Sequence, residues 1–79
     1  MPEYITIHRG AVYDFASIIR KANWKGSKTY YEVIFYIESD LNIRITNIDT
    51  QRCRSTITRA VNMAAGSYIG GSKKGYKFI

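Results

Sequence analysis

The sequence predicts a small α+β domain, on the strength of its apolar spacing and its β-prone ends. Val12, Phe15, Ile18, Ile19 and Ala22 recur at i, i+3, i+4 and i+7 intervals, and Cys53, Ile57, Ala60, Val61 and Ala64 gather on one side of a second helical segment. Short runs rich in β-branched and aromatic residues flank these stretches. Seventy-nine residues make one domain with a modest core, and a 46% hydrophobic content is too high for a disordered basic tail.

Taken in order, Tyr4 to His8 alternates as a strand or extended arm would. The first helix follows from Ala11 and ends near Asn23, with Asp14, Ser17, Arg20 and Lys21 opposite its apolar stripe; Lys25 to Lys28 reads as the connection after it. Thr29 to Leu41 fits two patterns. As a helix, Tyr30, Val33, Ile34, Ile37 and Leu41 form a stripe; as a strand, Tyr31, Val33, Phe35 and Ile37 share a face. Its β-branched and aromatic content favours the strand locally, and Phe35 and Tyr36 spoil a clean helical stripe.

Ile43 to Ile48 alternates in part, and Asp49-Thr50 then offers an N-cap for a helix over residues 49–65. On that helix Gln51, Arg52, Arg54, Ser55, Thr58, Arg59 and Asn62 occupy the arc opposite the apolar side. Gly66 is placed to close it in a left-handed conformation. Residues 67–79 read as a hairpin, with Tyr68-Ile69 and Tyr76 to Ile79 as arms around a Gly/Ser/Lys tip that carries Lys73 and Lys74.

Charge is distributed unevenly. Residues 44–79 hold Arg44, Arg52, Arg54, Arg59, Lys73, Lys74 and Lys77 against Asp49 alone, whereas five basic and five acidic side chains cancel in residues 1–43, so the formal +6 belongs to the second half. Self-repulsion of that kind does not stabilise a fold; a polyanionic partner, most commonly nucleic acid, accounts for it. The chemical inventory argues against catalysis. One His, one Cys and six carboxylates show no zinc-ligand spacing and no phosphate-binding glycine loop, so neither metal nor cofactor is expected. Cys53 reads as a small buried hydrophobe and His8 as a surface residue. A lone cysteine, the absence of a signal-like start and the lack of a long apolar run point to a cytoplasmic protein that does not span a membrane. The apolar stretch that closes the sequence leaves open that a longer protein continues from it.

Ser55-Thr-Ile-Thr-Arg-Ala-Val-Asn62 resembles the recognition helix of a helix-turn-helix, and Tyr68-Ile-Gly-Gly-Ser-Lys-Lys-Gly-Tyr-Lys-Phe-Ile79 resembles the wing of winged-helix proteins from bacteriophages and mobile elements. The resemblance covers Asp49 to Ile79. It implies a winged-helix domain that reads double-stranded DNA, with Arg52, Ser55, Thr58, Arg59 and Asn62 facing the major groove. Lys73, Lys74 and Lys77 would touch backbone or minor groove, and Arg54 joins the same basic set. It also requires a helix over Tyr30 to Leu41, joined to the next by a rather long turn. If that segment is a strand, the architecture becomes a compact α+β sandwich with a short antiparallel sheet and two helices.

The function expected is therefore binding without chemistry, as a transcriptional regulator whose occupancy blocks or recruits other machinery. A homodimer would lengthen the site read, and the aromatics around Tyr30, Tyr31, Phe35 and Tyr36 offer an interface, although rings of this kind more often fill a core. The alternative is a phage-encoded inhibitor or adaptor of the anti-CRISPR kind, bound to a host nuclease or defence complex; the basic charge sets it apart from an acidic nucleic-acid mimic. A further alternative is RNA binding, with Tyr68, Tyr76 and Phe78 as stacking surfaces.

Overall fold

Three helices and two short sheets pack around one apolar core in the computed structural model, which describes residues 2–64, 66–68 and 75–78. Strand β1 (Glu3–Ile5) leads through a 3₁₀ turn (Arg9–Ala11) into α1 (Val12–Ala22). Then come β2 (Gly26–Lys28), α2 (Tyr30–Leu41), β3 (Ile43–Ile45), α3 (Gln51–Met63), β4 (Gly66–Tyr68) and β5 (Tyr76–Phe78). The fold is thus α+β, and Thr29–Leu41 does not form the strand that its composition favours.

The reason lies at the start of α2. Thr29 Oγ1 accepts from the Glu32 amide at 3.1 Å, and Glu32 Oε1 accepts from the Thr29 amide at 2.9 Å. This reciprocal box satisfies two otherwise orphaned donors and holds the helix entrance against the β-leaning residues that follow. Those hydrogen bonds also hold the Glu32 carboxyl below its ordinary pKa. Asn42, left-handed at φ 55°, ends α2, as Asn23 at φ 52° ends α1. Asparagine tolerates that conformation better than most residues.

α1 buries Val12, Phe15, Ala16, Ile18 and Ile19 and packs chiefly against α3. Arg20 at its far end donates to the Met63 carbonyl at 3.0 Å, placing a cation at the C-terminus of α3 where the helix dipole favours one. α3 begins at Thr50, whose Oγ1 accepts from the Cys53 amide and donates to the Asn47 carbonyl. It ends two residues sooner than expected, at Met63. The Ala64 amide bonds back to the last carbonyls, and Gly66 opens β4 instead of capping the helix.

β1 and β3 pair in parallel, with Tyr4 opposite Arg44. The Asn47 side chain prolongs this ladder by accepting from the Ile7 amide at 3.0 Å and donating to the Ile7 carbonyl at 3.3 Å. The connection between α2 and α3 is therefore not a plain turn, because part of it is a strand with its own partner. Buried Glu38 ties α2 to that strand by accepting from the Ile45 amide at 2.9 Å.

The second sheet is antiparallel in the order β2-β5-β4. β4 meets the expected first hairpin arm only at Tyr68 and β5 covers Tyr76 to Phe78 of the second, the rest of both arms and the tip lying outside the described residues, whereas β2, read there as a connection, adds a third strand on the far edge of β5. Trp24 holds β2 in place, meeting Tyr36 and Phe78 edge-on with ring centroids 4.9 and 5.4 Å away. Gly75 enters β5 at φ 66°, and a β-carbon there would overlap the backbone of Lys28 and Thr29. Only glycine allows so close an approach of two chain segments.

Candidate nucleic-acid interface

α3 turns one flank inward and one outward. Cys53, Thr56, Ile57, Ala60 and Val61 are buried, while Gln51, Arg52, Ser55, Arg59 and Asn62 are exposed. At 100° per residue, Gln51, Ser55 and Asn62 lie along the middle of the outward arc. Arg52 and Arg59 border it on one side, Arg54 and Thr58 on the other. No carboxylate pairs with Arg52, Arg54 or Arg59 among the described residues. Acceptors and donors for base edges thus share a helix face with cations for phosphates.

The two borders differ in what holds them. Arg54 is half-buried, its guanidinium 4.9 Å from the centre of the Tyr30 ring. Beneath it the Tyr30 hydroxyl donates to the Ile48 carbonyl at 2.6 Å and lies 3.0 Å from Cys53 Sγ. Burial pushes both the Tyr30 phenol and the Cys53 thiol above their ordinary pKa values, so both stay neutral and inert. Thr58 is also half-buried, its hydroxyl 3.2 Å from that of Tyr76, which links α3 to β5. Arg54 and Thr58 therefore have structural partners, whereas Arg52 and Arg59 face open solvent.

On the Arg52 and Arg59 side lies a cleft of about 430 Å³. Arg9 and Val12, from the 3₁₀ turn and the start of α1, form one wall; Arg52, Ser55 and Arg59 form the other. Among the described residues no acidic side chain lines it. The Gln51 amide donates to Ser55 Oγ at 3.3 Å along its rim, and the Thr56 hydroxyl is bonded to the Arg52 carbonyl at 2.9 Å.

The cleft redraws the charge map. Arg9 comes from the neutral half of the sequence, and no periodic signal marks it, since the packing of α1 on α3 is what brings it to Arg52 and Arg59. Arg44, counted in the basic half, lies instead on β3, 3.9 Å from Glu38. Lys77 is exposed on the outer face of β5, opposite buried Tyr76 and Phe78, and does not line the cleft. Lys73 and Lys74 lie outside the described residues. The inward rings of Tyr76 and Phe78 are not available for stacking on RNA bases.

A second concavity, between α2 and the β1–β3 pair, is lined by Tyr4, Phe35, Glu38 and Ile48 among others. His8 is exposed, Cys53 is buried, and the described residues contain no cluster of His, Cys, Asp and Glu able to hold a metal ion. No described helix is long and apolar enough to cross a membrane. Compared with family models, curated proteins and solved structures, the chain matches none.

Proposed function

We propose that this protein is a small non-enzymatic DNA-binding protein of the winged-helix kind, a regulator of a phage or mobile element that reads duplex DNA with α3. The observation that carries the reading is the outward arc of α3, where Gln51, Ser55 and Asn62 run beside unpaired Arg52 and Arg59 with no acid among them. Two features of the fold support it. A helix, α2, precedes α3, and an antiparallel strand pair, β4 and β5, follows it as a wing would. In this reading Lys73, Lys74 and Lys77 add phosphate contacts from the wing. Arg54 and Thr58, held by Tyr30 and Tyr76, shape the far border of the reading face.

Random-sequence duplex DNA titrated across salt by fluorescence anisotropy tests this. Micromolar affinity that falls steeply with salt is expected of a surface that neutralises phosphates. No binding even at low salt removes the proposal.

A second reading is favoured by the aromatic surface of α2, where Tyr31, Phe35 and Tyr36 remain exposed. Rings in contact with water suit a protein partner, such as a second copy of the chain or a host complex bound by an inhibitor or adaptor. Sedimentation of the protein alone and capture with host lysate distinguish these from the DNA reading.

A further inference from the structure

Three arginines line one cleft from its two walls, Arg9 on one and Arg52 and Arg59 on the other, with no carboxylate among the described lining residues to offset them. Like charges gathered this way raise the energy of the empty cleft, and an anion relieves it. The ligand's chemistry follows from the donors. Planar guanidinium forks match the oxygens of phosphate, and the Ser55 hydroxyl lies on the wall that carries Arg52 and Arg59.

We propose that this cleft binds a backbone phosphodiester, held between Arg9 of the 3₁₀ turn and Arg52 and Arg59 of α3. The inference rests on the duplex-DNA reading and divides the labour of α3 within it. Arg52 and Arg59 position the helix on the backbone, and Gln51 and Asn62 are left to meet base edges. Arg9, contributed from outside α3, clamps the phosphate from the other side and so sets how deeply and in what register α3 enters the groove.

The test uses two probes on the full chain. In the first, Arg9→Gln and Arg59→Gln are compared with wild type for duplex binding across salt, with exposed Lys21→Gln as a charge-matched control. Arg9→Gln is expected to weaken binding to every sequence alike, by roughly tenfold, and to reduce the salt slope by about 1. In the second, sodium phosphate is titrated against sodium chloride at matched ionic strength while backbone amide and arginine Nε–H resonances are followed by NMR. Saturable shifts at Gly10, Ala11 and the side chains of Arg9, Arg52 and Arg59, abolished in Arg9→Gln, are expected.

The outcomes separate the two ideas. Wild type that ignores DNA but gives those localised phosphate shifts keeps the anion cleft and removes the DNA reading. Wild type that binds DNA while Arg9→Gln matches it in affinity and slope overturns the cleft and leaves the DNA reading standing. Phosphate shifts spread evenly over all Lys and Arg residues also overturn the cleft.

Discussion

α2 and α3 flank the same core and treat their outer faces in opposite ways. α3 buries Ile57, Ala60 and Val61 and presents amides, hydroxyls and guanidinium groups to water; α2 buries Val33, Ile34 and Ile37 and presents Phe35, 57% exposed, beside Tyr31 and Tyr36. Neighbouring helices thus expose two different chemistries. In the readings proposed, one face serves a polyanion, whose condensed counterions the arginines displace, and the other an apolar partner that removes rings from water. That division also explains why the helical period is plain in α3 and blurred in α2. Outward polar residues sharpen an apolar stripe, and outward aromatics erase its edge.

The largest effects are expected where the two helices are alike. Ile57→Ala and Ile34→Ala each remove a fully buried side chain and should each cost about 2–5 kcal/mol by urea unfolding. A near-neutral Ile34→Ala would break the comparison by showing that the buried side of α2 does not support the fold as that of α3 does.

Next in size is the junction between the helices. Tyr30 of α2 and Cys53 of α3 are both held neutral by burial, with pKa values raised above those of the unfolded chain. For such acids the stabilisation is complete below the unfolded pKa and is lost as pH rises through the folded one. Unfolding monitored against pH should therefore show stability declining from about pH 8.5, as the unfolded thiol ionises, and more steeply near about pH 10 with the phenol. Tyr30→Phe should remove the steeper part and cost about 1–2 kcal/mol at neutral pH through the orphaned Ile48 carbonyl. An unchanged alkaline profile in Tyr30→Phe would show that the phenol does not link the helices.

How much of this was legible in the sequence depended on whether a local rule was sufficient. α1 follows from period alone, and α3 from period together with Thr50, which caps it as its residue type suggests. α2 carried a decisive local signal in the Thr29 and Glu32 capping box, but the β-leaning residues between Tyr30 and Ile37 competed with it. β2 had no such signal. Gly26 to Lys28 becomes a strand because β5 offers an edge and Trp24 wedges between Tyr36 and Phe78, both tertiary facts. The candidate site divides in the same way. Exposure of Arg52, Ser55, Arg59 and Asn62 follows from helical geometry, whereas the recruitment of Arg9 and the diversion of Arg44 to Glu38 depend on long-range packing.

Two arginines of α3 sharpen the contrast at smaller magnitude. Arg54 covers the Tyr30 ring, so Arg54→Ala should cost about 0.5–2 kcal/mol of stability. Arg52→Ala should stay within about 0.5 kcal/mol, because that side chain meets water, yet it should weaken duplex binding. Thermal unfolding and anisotropy on both variants measure the two axes together. Equal losses of stability would mean that the outward arc of α3 is rotated from its assigned direction.

The smallest effect on stability is expected on α2 itself. Phe35 packs beside Tyr31, with ring centroids 6.3 Å apart, but most of its surface meets solvent. Phe35→Ser should therefore change unfolding by no more than about 0.5 kcal/mol. It should also leave duplex affinity and its salt slope as in wild type, because the ring is neutral and lines a concavity separate from the arginine cleft. Arg59→Ala should do the reverse, lowering affinity with stability preserved. Anisotropy on these two variants measures whether the molecule has two working faces or one. If Phe35→Ser lowers DNA affinity as Arg59→Ala does, the aromatic face of α2 participates in the same complex, and the division of chemistry between the helices does not correspond to a division of partners.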